Sequence, residues 1–183
     1  LLELGRASEA HALLTPALDR RPVPDALLAL YIRAARSSGN AQVAAGRVAS
    51  LLGGTRAAQR GLARELSLLY AELGQLDMAA DALAALSEKD PELAAMEGRL
   101  HLALVARLFA RAPTPRALEA AAKHAQRAEA LLATSAGDRV GLELAQALLS
   151  LKKGSHDGFL AQVERLSASE DQLLAYLSPL GLS

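Results

Sequence analysis

Residues 60–91 read RGLARELSLLYAELGQLDMAADALAALSEKDP, and this stretch decides the fold. The apolar residues of its first half recur at helical spacing, at Leu62, Leu66, Leu69, Tyr70 and Leu73. Gly74 interrupts the pattern, and a second apolar stripe then runs from Leu76 to Leu86. The segment from Ser87 to Pro91 is polar and ends in a proline that cannot continue a helix. The stretch therefore predicts one helical hairpin.

The glycine and the alanine of this hairpin recur at the same spacing twice earlier in the chain. Gly74 has counterparts at Gly39 and Gly5, at separations of 35 and 34 residues. Two other residues of the hairpin also recur, with Ala79 matched by Ala44 and Ala10, and Pro91 by Pro22. Because one hairpin cannot bury its own apolar face, such units must stack on one another.

A 34-residue period of helix, turn and helix resembles the tetratricopeptide repeat (TPR) family. The family's aromatic, turn-glycine, small-residue and closing-proline places hold Tyr70, Gly74, Ala79 and Pro91. Two places depart from the family pattern, because Ala63 stands at the tryptophan place and Ser67 at the first-helix glycine place. The resemblance implies an all-α, right-handed α-solenoid of about four to five TPR-like hairpins with a C-terminal capping helix.

We expect a single domain over residues 1–183. Its units would cover residues 1–22 (partial), 25–56, 59–91, 92–134 (extended) and 138–168, followed by a capping helix over 169–180. Pro16 should kink or shorten the helix that begins near Ala7. Asp90-Pro91 and Thr114-Pro115 predict helix starts, since each pairs a capping side chain with a proline at the first helical position. Because residue 1 is not a methionine and residues 1–4 resemble the tail of a helix, we expect the chain to be part of a longer protein.

The composition argues against several classes of protein. The chain has 20 basic and 20 acidic residues, and this balance argues against a general nucleic-acid binder. It has no cysteine, so it offers neither a disulfide framework nor a thiolate metal site. No uncharged apolar run of about 18 residues occurs, so we expect no membrane span. Absent cysteine suits the cytoplasm or the periplasm, and we favour the cytoplasm. The abundance of Ala, Leu, Arg and Gly is typical of bacterial proteins encoded by GC-rich genes.

Nothing in the sequence indicates catalysis, a cofactor or a metal site. Nucleophile motifs and phosphate-binding glycine loops are missing, so we expect no enzyme. The four histidines are His11, His101, His124 and His156, and we expect none to have a histidine or carboxylate partner four residues away on its helix. His101 and His124 lie on successive predicted helices and would meet across a hairpin. Ordinary packing is the favoured interpretation of such a contact, with a functional pair as the alternative.

The remaining candidate for a functional site is a concave groove that could bind a partner. In TPR proteins the first helices of the hairpins line a concave face, and the resemblance implies that this face binds a peptide or helix of another protein. The matching positions give eight candidate partner-binding residues: Arg33, Arg36, Arg64, Leu68, Arg99, Leu102, Leu144 and Leu148. The same register places Gly98 and Val105 on this face. The surface would be basic in its N-terminal half and apolar in its C-terminal half.

The sequence favours a scaffold or adaptor for protein–protein interaction. The alternative is a TPR regulatory domain that senses a small molecule or signal for an attached kinase or transcription factor. That alternative predicts a closed apolar pocket, for example in the extended fourth unit. Occupation of the groove by a second copy of the chain is a further possibility. The sequence does not identify the partner.

Overall fold

The computed structural model describes residues 1–19, 22–52, 59–110, 114–152, 154–155 and 157–158. Within these ranges the chain is helical and contains no strand. Eight α-helices are described: α1 Ala7–Ala17, α2 Asp25–Ser37, α3 Ala41–Leu52, α4 Arg60–Glu72, α5 Leu76–Ala84, α6 Pro91–Ala110, α7 Pro115–Leu132 and α8 Arg139–Lys152. Short 3-10 turns cover Leu2–Leu4, Ser87–Lys89 and Ala136–Asp138. The all-α class is confirmed, and the right-handed solenoid stays a prediction.

The predicted helix boundaries have identifiable causes in the structure. Asp90 Oδ1 accepts hydrogen bonds from the amides of Glu92 and Leu93, at 3.0 and 3.3 Å. Thr114 Oγ1 accepts one from the Ala117 amide at 3.2 Å. Both predicted caps are therefore confirmed. Pro16 lies in the last turn of α1, which ends one residue later, so the predicted shortening also occurs.

Turn glycines separate consecutive helices as the sequence predicts. Gly39 has φ +76° and Gly74 has φ +71°, a left-handed conformation that residues with a Cβ rarely adopt. Gly5 and Gly154 share this conformation. After Gly74, the Gln75 amide donates to the Tyr70 carbonyl at 2.8 Å, which satisfies an acceptor at the end of α4.

The chain divides into two compact units, with the boundary between Leu93 and Ala94. In unit 1, α2 packs against α1, α3 and α4, and α4 also packs against α5. The hairpin of α4 and α5 buries the residues that the apolar stripes select, among them Leu62, Leu66, Leu69, Ala79 and Leu83. Burying one leucine contributes about 1.5–3 kcal/mol, so these stripes account for the pairing of the two helices.

Unit 2 has its own cluster of buried residues, contributed by α6, α7 and α8. Its α7 face consists of Ala121, Ala125, Ala128 and Leu132. The small side chains allow close helix approach, and Gly98 on α6 continues this feature. A Cβ added to Gly98 would lie only 2.5 Å from Leu132 Cγ. The backbone of α6 at Gly98 therefore packs directly against the Leu132 side chain of α7.

In the described part of the chain, every helix is too short or too polar to cross a bilayer. The second helix of the predicted fifth unit, the capping helix over 169–180 and His156 lie outside the described residues. The predicted repeat ranges and the single domain over 1–183 stay predictions.

Candidate partner-binding site

An apolar surface of five leucines lies at the start of unit 1. This leucine surface consists of Leu1, Leu2, Leu13, Leu14 and Leu30, contributed by the first 3-10 turn, α1 and α2. They line an open cavity of about 360 Å³. Leu13 is 66% exposed and Leu30 is 46% exposed. Large apolar side chains at these exposures beside one another are typical of an interaction site rather than of scattered surface residues.

The leucine surface arises because α2 is apolar on more than one side. Leu28, Tyr31 and Ile32 are buried in the core of unit 1, whereas Leu30 points away from them. An amphipathic helix with one covered face needs a single apolar stripe, so the extra apolar residue is available for another contact. On α1, Ala10 is buried, and Leu13 lies one turn further on.

Arg33 borders the same cavity. It stands three residues after Leu30, so the two side chains are neighbours on the surface of α2. Arg33 is exposed, and in the described part of the chain its guanidinium has no carboxylate within salt-bridge distance, unlike that of Arg36. Glu3 is the other charged residue that lines the cavity. The leucine surface therefore has a cation and an anion at its rim.

The other predicted arginines of unit 1 are engaged within the chain. Arg36 Nη1 lies 3.1 Å from Glu65 Oε2, and Arg36 Nε lies 2.9 Å from Glu72 Oε2, so this side chain links α2 to α4. Arg64 is exposed, with Nε 3.8 Å from Glu92 Oε1. The fourth predicted residue, Leu68, is half-buried. These carboxylates neutralise much of the basic half of the predicted groove.

Arg99 is also paired, and its partner is a buried carboxylate. Its Nε lies 2.7 Å from Asp138 Oδ1 and its Nη2 lies 3.1 Å from Oδ2, a bidentate geometry. Ser135 Oγ donates to Asp138 Oδ2 at 2.5 Å. Burial by itself would raise the pKa of Asp138, but the hydrogen bonds from Arg99 and Ser135 outweigh it and hold the pKa below its usual value. The pair connects α6 to the turn that precedes α8.

The register expected for the fourth unit does not match the observed burial. Leu102 is 4% exposed and Val105 is 1% exposed, and both belong to the core cluster of unit 2. Gly98 faces Leu132 of α7 rather than an open surface. These three residues therefore pack between helices and offer no exposed area. Leu144 and Leu148 on α8 are half-buried.

The structure brings His101 and His124 together, as a hairpin of α6 and α7 requires. Their Nδ1 atoms are 2.9 Å apart. The expectation that no histidine has a carboxylate four residues away is wrong, because Glu97 Oε1 lies 3.4 Å from His101 Nε2. Arg127 Nε lies 2.8 Å from the same oxygen. The Glu-x-x-x-His spacing of residues 97–101 was the signal that would have identified this contact.

Within the described residues, no group of three or more histidine and acidic side chains converges as a metal site requires. His11 stacks on Tyr31 with ring centroids 5.1 Å apart. A second cavity, between α7 and α8, has a volume of about 180 Å³ and is lined by residues such as Ala125, Leu142 and Gln146. Small-molecule sites usually measure about 300–1,000 Å³, so this cavity is small for a ligand of that kind.

Comparisons of the chain with protein-family models, with curated proteins and with solved structures found no match.

Proposed function

We propose that this chain is a binding module for another protein and that the leucine surface of unit 1 is its contact site. The observation that carries the proposal is the convergence of five leucines around one open cavity with Arg33 at its rim. The occupant is a peptide or helix segment that inserts apolar side chains among the leucines and places a carboxylate beside Arg33.

Energetics favour an occupant of this chemistry. Leu13 and Leu30 are each about half exposed or more, so covering them recovers part of the roughly 1.5–3 kcal/mol that full burial of a leucine contributes. Arg33 supports a carboxylate because a guanidinium holds one through two parallel hydrogen bonds. Its charge is available for this role in a way that the charge of Arg36 is not, because two carboxylates already contact Arg36.

The TPR-like repeat supports the same class of function, since stacked hairpins of this kind usually serve as peptide-binding scaffolds. The proposal differs from the sequence-based site in position. It keeps Arg33 and moves the apolar part of the site from the C-terminal leucines to those of α1 and α2. The regulatory-sensor alternative stays a prediction.

Selection from a random 16-residue peptide library displayed on phage tests the proposal. We expect the enriched peptides to carry Leu, Ile or Phe at helical spacing, with Asp or Glu within one turn of them. An Arg33→Glu variant should enrich peptides with Lys or Arg at that place instead. If the parent and the Arg33→Glu variant enrich peptides of the same charge, Arg33 does not contact the occupant's carboxylate. If no apolar peptide is enriched, the proposal is overturned.

Light scattering of the purified chain provides the matched test for self-association. If the leucine surface is covered by a second copy, the chain is a dimer and Leu13→Asp makes it a monomer. A monomer that still enriches peptides supports the proposed function.

A further inference from the structure

Glu3 lines the same cavity as Arg33, and the proposed function assigns it no part. Glu3 lies in the first 3-10 turn and is exposed. Arg6, a cation three residues further on, pairs with Glu9 instead, and its Nε lies 2.7 Å from Glu9 Oε1. Among the ion pairs of the described residues, none includes Glu3. The negative charge of Glu3 is therefore available to an occupant of the leucine surface.

Glu3 and Arg33 do not neutralise each other. Both side chains are exposed and border one cavity, yet no ion pair of the described residues joins the two. Opposite charges that stay apart on one rim each attract a separate counter-charge from an occupant. An apolar segment with one acidic and one basic side chain satisfies both. A segment with two acidic side chains brings a carboxylate toward Glu3, and like charges placed together across an interface suppress binding.

Backbone contacts hold the two charges at different points of the rim. The Arg6 amide donates to the Leu1 carbonyl at 2.9 Å, which ties the 3-10 turn that carries Glu3 to the start of α1. The helix α1 in turn packs against α2, which carries Arg33. The turn and both helices belong to unit 1. The separation between the two charges is therefore set by the packing of this unit.

The leucines alone do not determine which way round a segment binds. Contact between apolar side chains is non-directional, so a leucine-rich segment fits the surface in either direction. Arg33 fixes one point of the segment. A second charge of opposite sign at another point distinguishes the two directions, because the reversed segment places its acid beside Glu3 and its base beside Arg33.

We propose that Glu3 and Arg33 together select a partner segment whose apolar residues lie between an acidic and a basic residue, bound in one orientation. The acidic residue contacts Arg33 and the basic residue contacts Glu3. This inference rests on the proposed function, to which it adds the charge order of the partner and Glu3 as a specificity residue. A second copy of the chain carries both charges beside its own leucines, so it is the competing occupant.

The expected effect of each rim charge is modest, because both are exposed. An exposed ion pair contributes at most about fivefold in affinity. Glu3→Arg replaces an attraction by a repulsion, so it should weaken binding of the selected peptide by about three- to tenfold. Glu3→Gln removes the attraction alone and should weaken it by about fivefold or less. Raising NaCl from about 0.05 M to about 0.5 M should shrink both effects through screening.

Phage selection on the parent and on Glu3→Arg tests the charge order. The peptides that the parent enriches should carry an acidic and a basic residue in one order and at one separation. Glu3→Arg should keep the apolar positions and the acidic residue, and replace the basic residue by Asp or Glu. If the parent's peptides are apolar and acidic but show no basic position, the inference is overturned and the proposed function stands. If no apolar peptide is enriched, both are overturned.

Fluorescence anisotropy of one selected peptide compares matched variants. Glu88→Arg is the control, because Glu88 is an exposed residue of unit 1 outside the cavity, and its affinity should stay within about twofold of the parent's. The double variant Glu3→Arg with Arg33→Glu should prefer a peptide whose acidic and basic residues are exchanged. Every variant carries a Gly-Ser extension ahead of residue 1, which moves the terminal amino group away from Glu3. Equal affinities of Glu3→Arg and Glu88→Arg for the selected peptide overturn the inference.

Light scattering of the same variants distinguishes a second copy from a partner. In a symmetric dimer Arg33 of one copy would contact Glu3 of the other, and the reverse contact would also form. Each single reversal breaks such pairs, whereas the double variant restores them. If the parent and the double variant are dimers and both single variants are monomers, the occupant is a second copy and the inference is overturned. A monomeric parent that binds the selected peptide in the expected charge order supports it.

Discussion

Gly98 is the position where a single methyl group tests the packing of unit 2 most sharply. A Cβ at this residue would lie 2.5 Å from Leu132 Cγ and 2.8 Å from Leu132 Cδ2. Leu132 is 1% exposed and belongs to the core cluster, so it cannot move aside without displacing its neighbours. Overpacking of this kind costs about 1–3 kcal/mol, whereas replacing glycine by alanine in a helix gains about 1 kcal/mol. We therefore expect Gly98→Ala to be neutral or to destabilise unit 2 by up to about 2 kcal/mol.

Gly46→Ala provides the matched control. Gly46 lies inside α3, is exposed, and would have nothing within 4 Å of an added Cβ. Only the helix-propensity gain applies there, so this variant should stabilise unit 1 by about 0.5–1 kcal/mol. Relative to this control, Gly98→Ala should be less favourable by about 1–3 kcal/mol, the cost of overpacking.

Urea unfolding followed by circular dichroism measures both variants, each compared with the parent in the transition of its own unit. A double variant adds a second test of the cause. Leu132→Ala alone should cost about 2–5 kcal/mol, and Gly98→Ala should be better tolerated in its presence, because the new methyl group enters the vacated space. If Gly98→Ala stabilises the chain as much as Gly46→Ala does, the close approach of α6 to α7 is refuted.

Three further substitutions test single features. Gly74→Ala should cost about 1–2 kcal/mol in urea unfolding, because the residue has φ +71°, and a smaller effect would contradict a left-handed turn. Thr114→Ala should cost about 1 kcal/mol through loss of the cap on the Ala117 amide, whereas Thr114→Ser should retain it. The pKa of Asp138 is lowered by folding, so its contribution is complete above the unfolded value of about 3.9 and is lost as the pH falls through the lower folded value. Asp138→Asn should therefore lose less stability between pH 7 and pH 3 than the parent does, and equal losses would contradict the lowered pKa.

Local signals in the sequence predicted much of the helical structure. The glycines at 39 and 74 mark the turns, because helices commonly end in a left-handed residue and glycine adopts that conformation without a Cβ penalty. Asp90 and Thr114 set two helix starts through side-chain oxygens that bond to nearby amides. Such features depend on a few adjacent residues, and a single sequence contains them in full.

The candidate site could be predicted only in part, because it depends on contacts between distant residues. Arg36 is 29 residues from Glu65 and 36 from Glu72, and no local pattern indicates that they pair. The TPR-like register predicts that Leu102, in the extended fourth unit, lies on the concave face of the groove. In the structure Leu102 is 4% exposed and packs in the core cluster of unit 2 instead, with residues of α7 and α8 that no local pattern on α6 identifies. Periodicity does not reveal which apolar residues of α1 and α2 remain uncovered, so the sequence alone does not identify the leucine surface.

The affinity of one selected peptide for two matched variants tests the central proposal most directly. Leu13→Asp introduces a charge on the leucine surface, and Val43→Asp introduces the same charge at another exposed apolar residue of unit 1, 62% exposed and on α3. Fluorescence anisotropy with the labelled peptide gives both dissociation constants. We predict that Leu13→Asp weakens binding at least tenfold, which corresponds to about 1.4 kcal/mol, and that Val43→Asp leaves it within about twofold of the parent. Equal affinities of the two variants would contradict a binding site on the leucine surface.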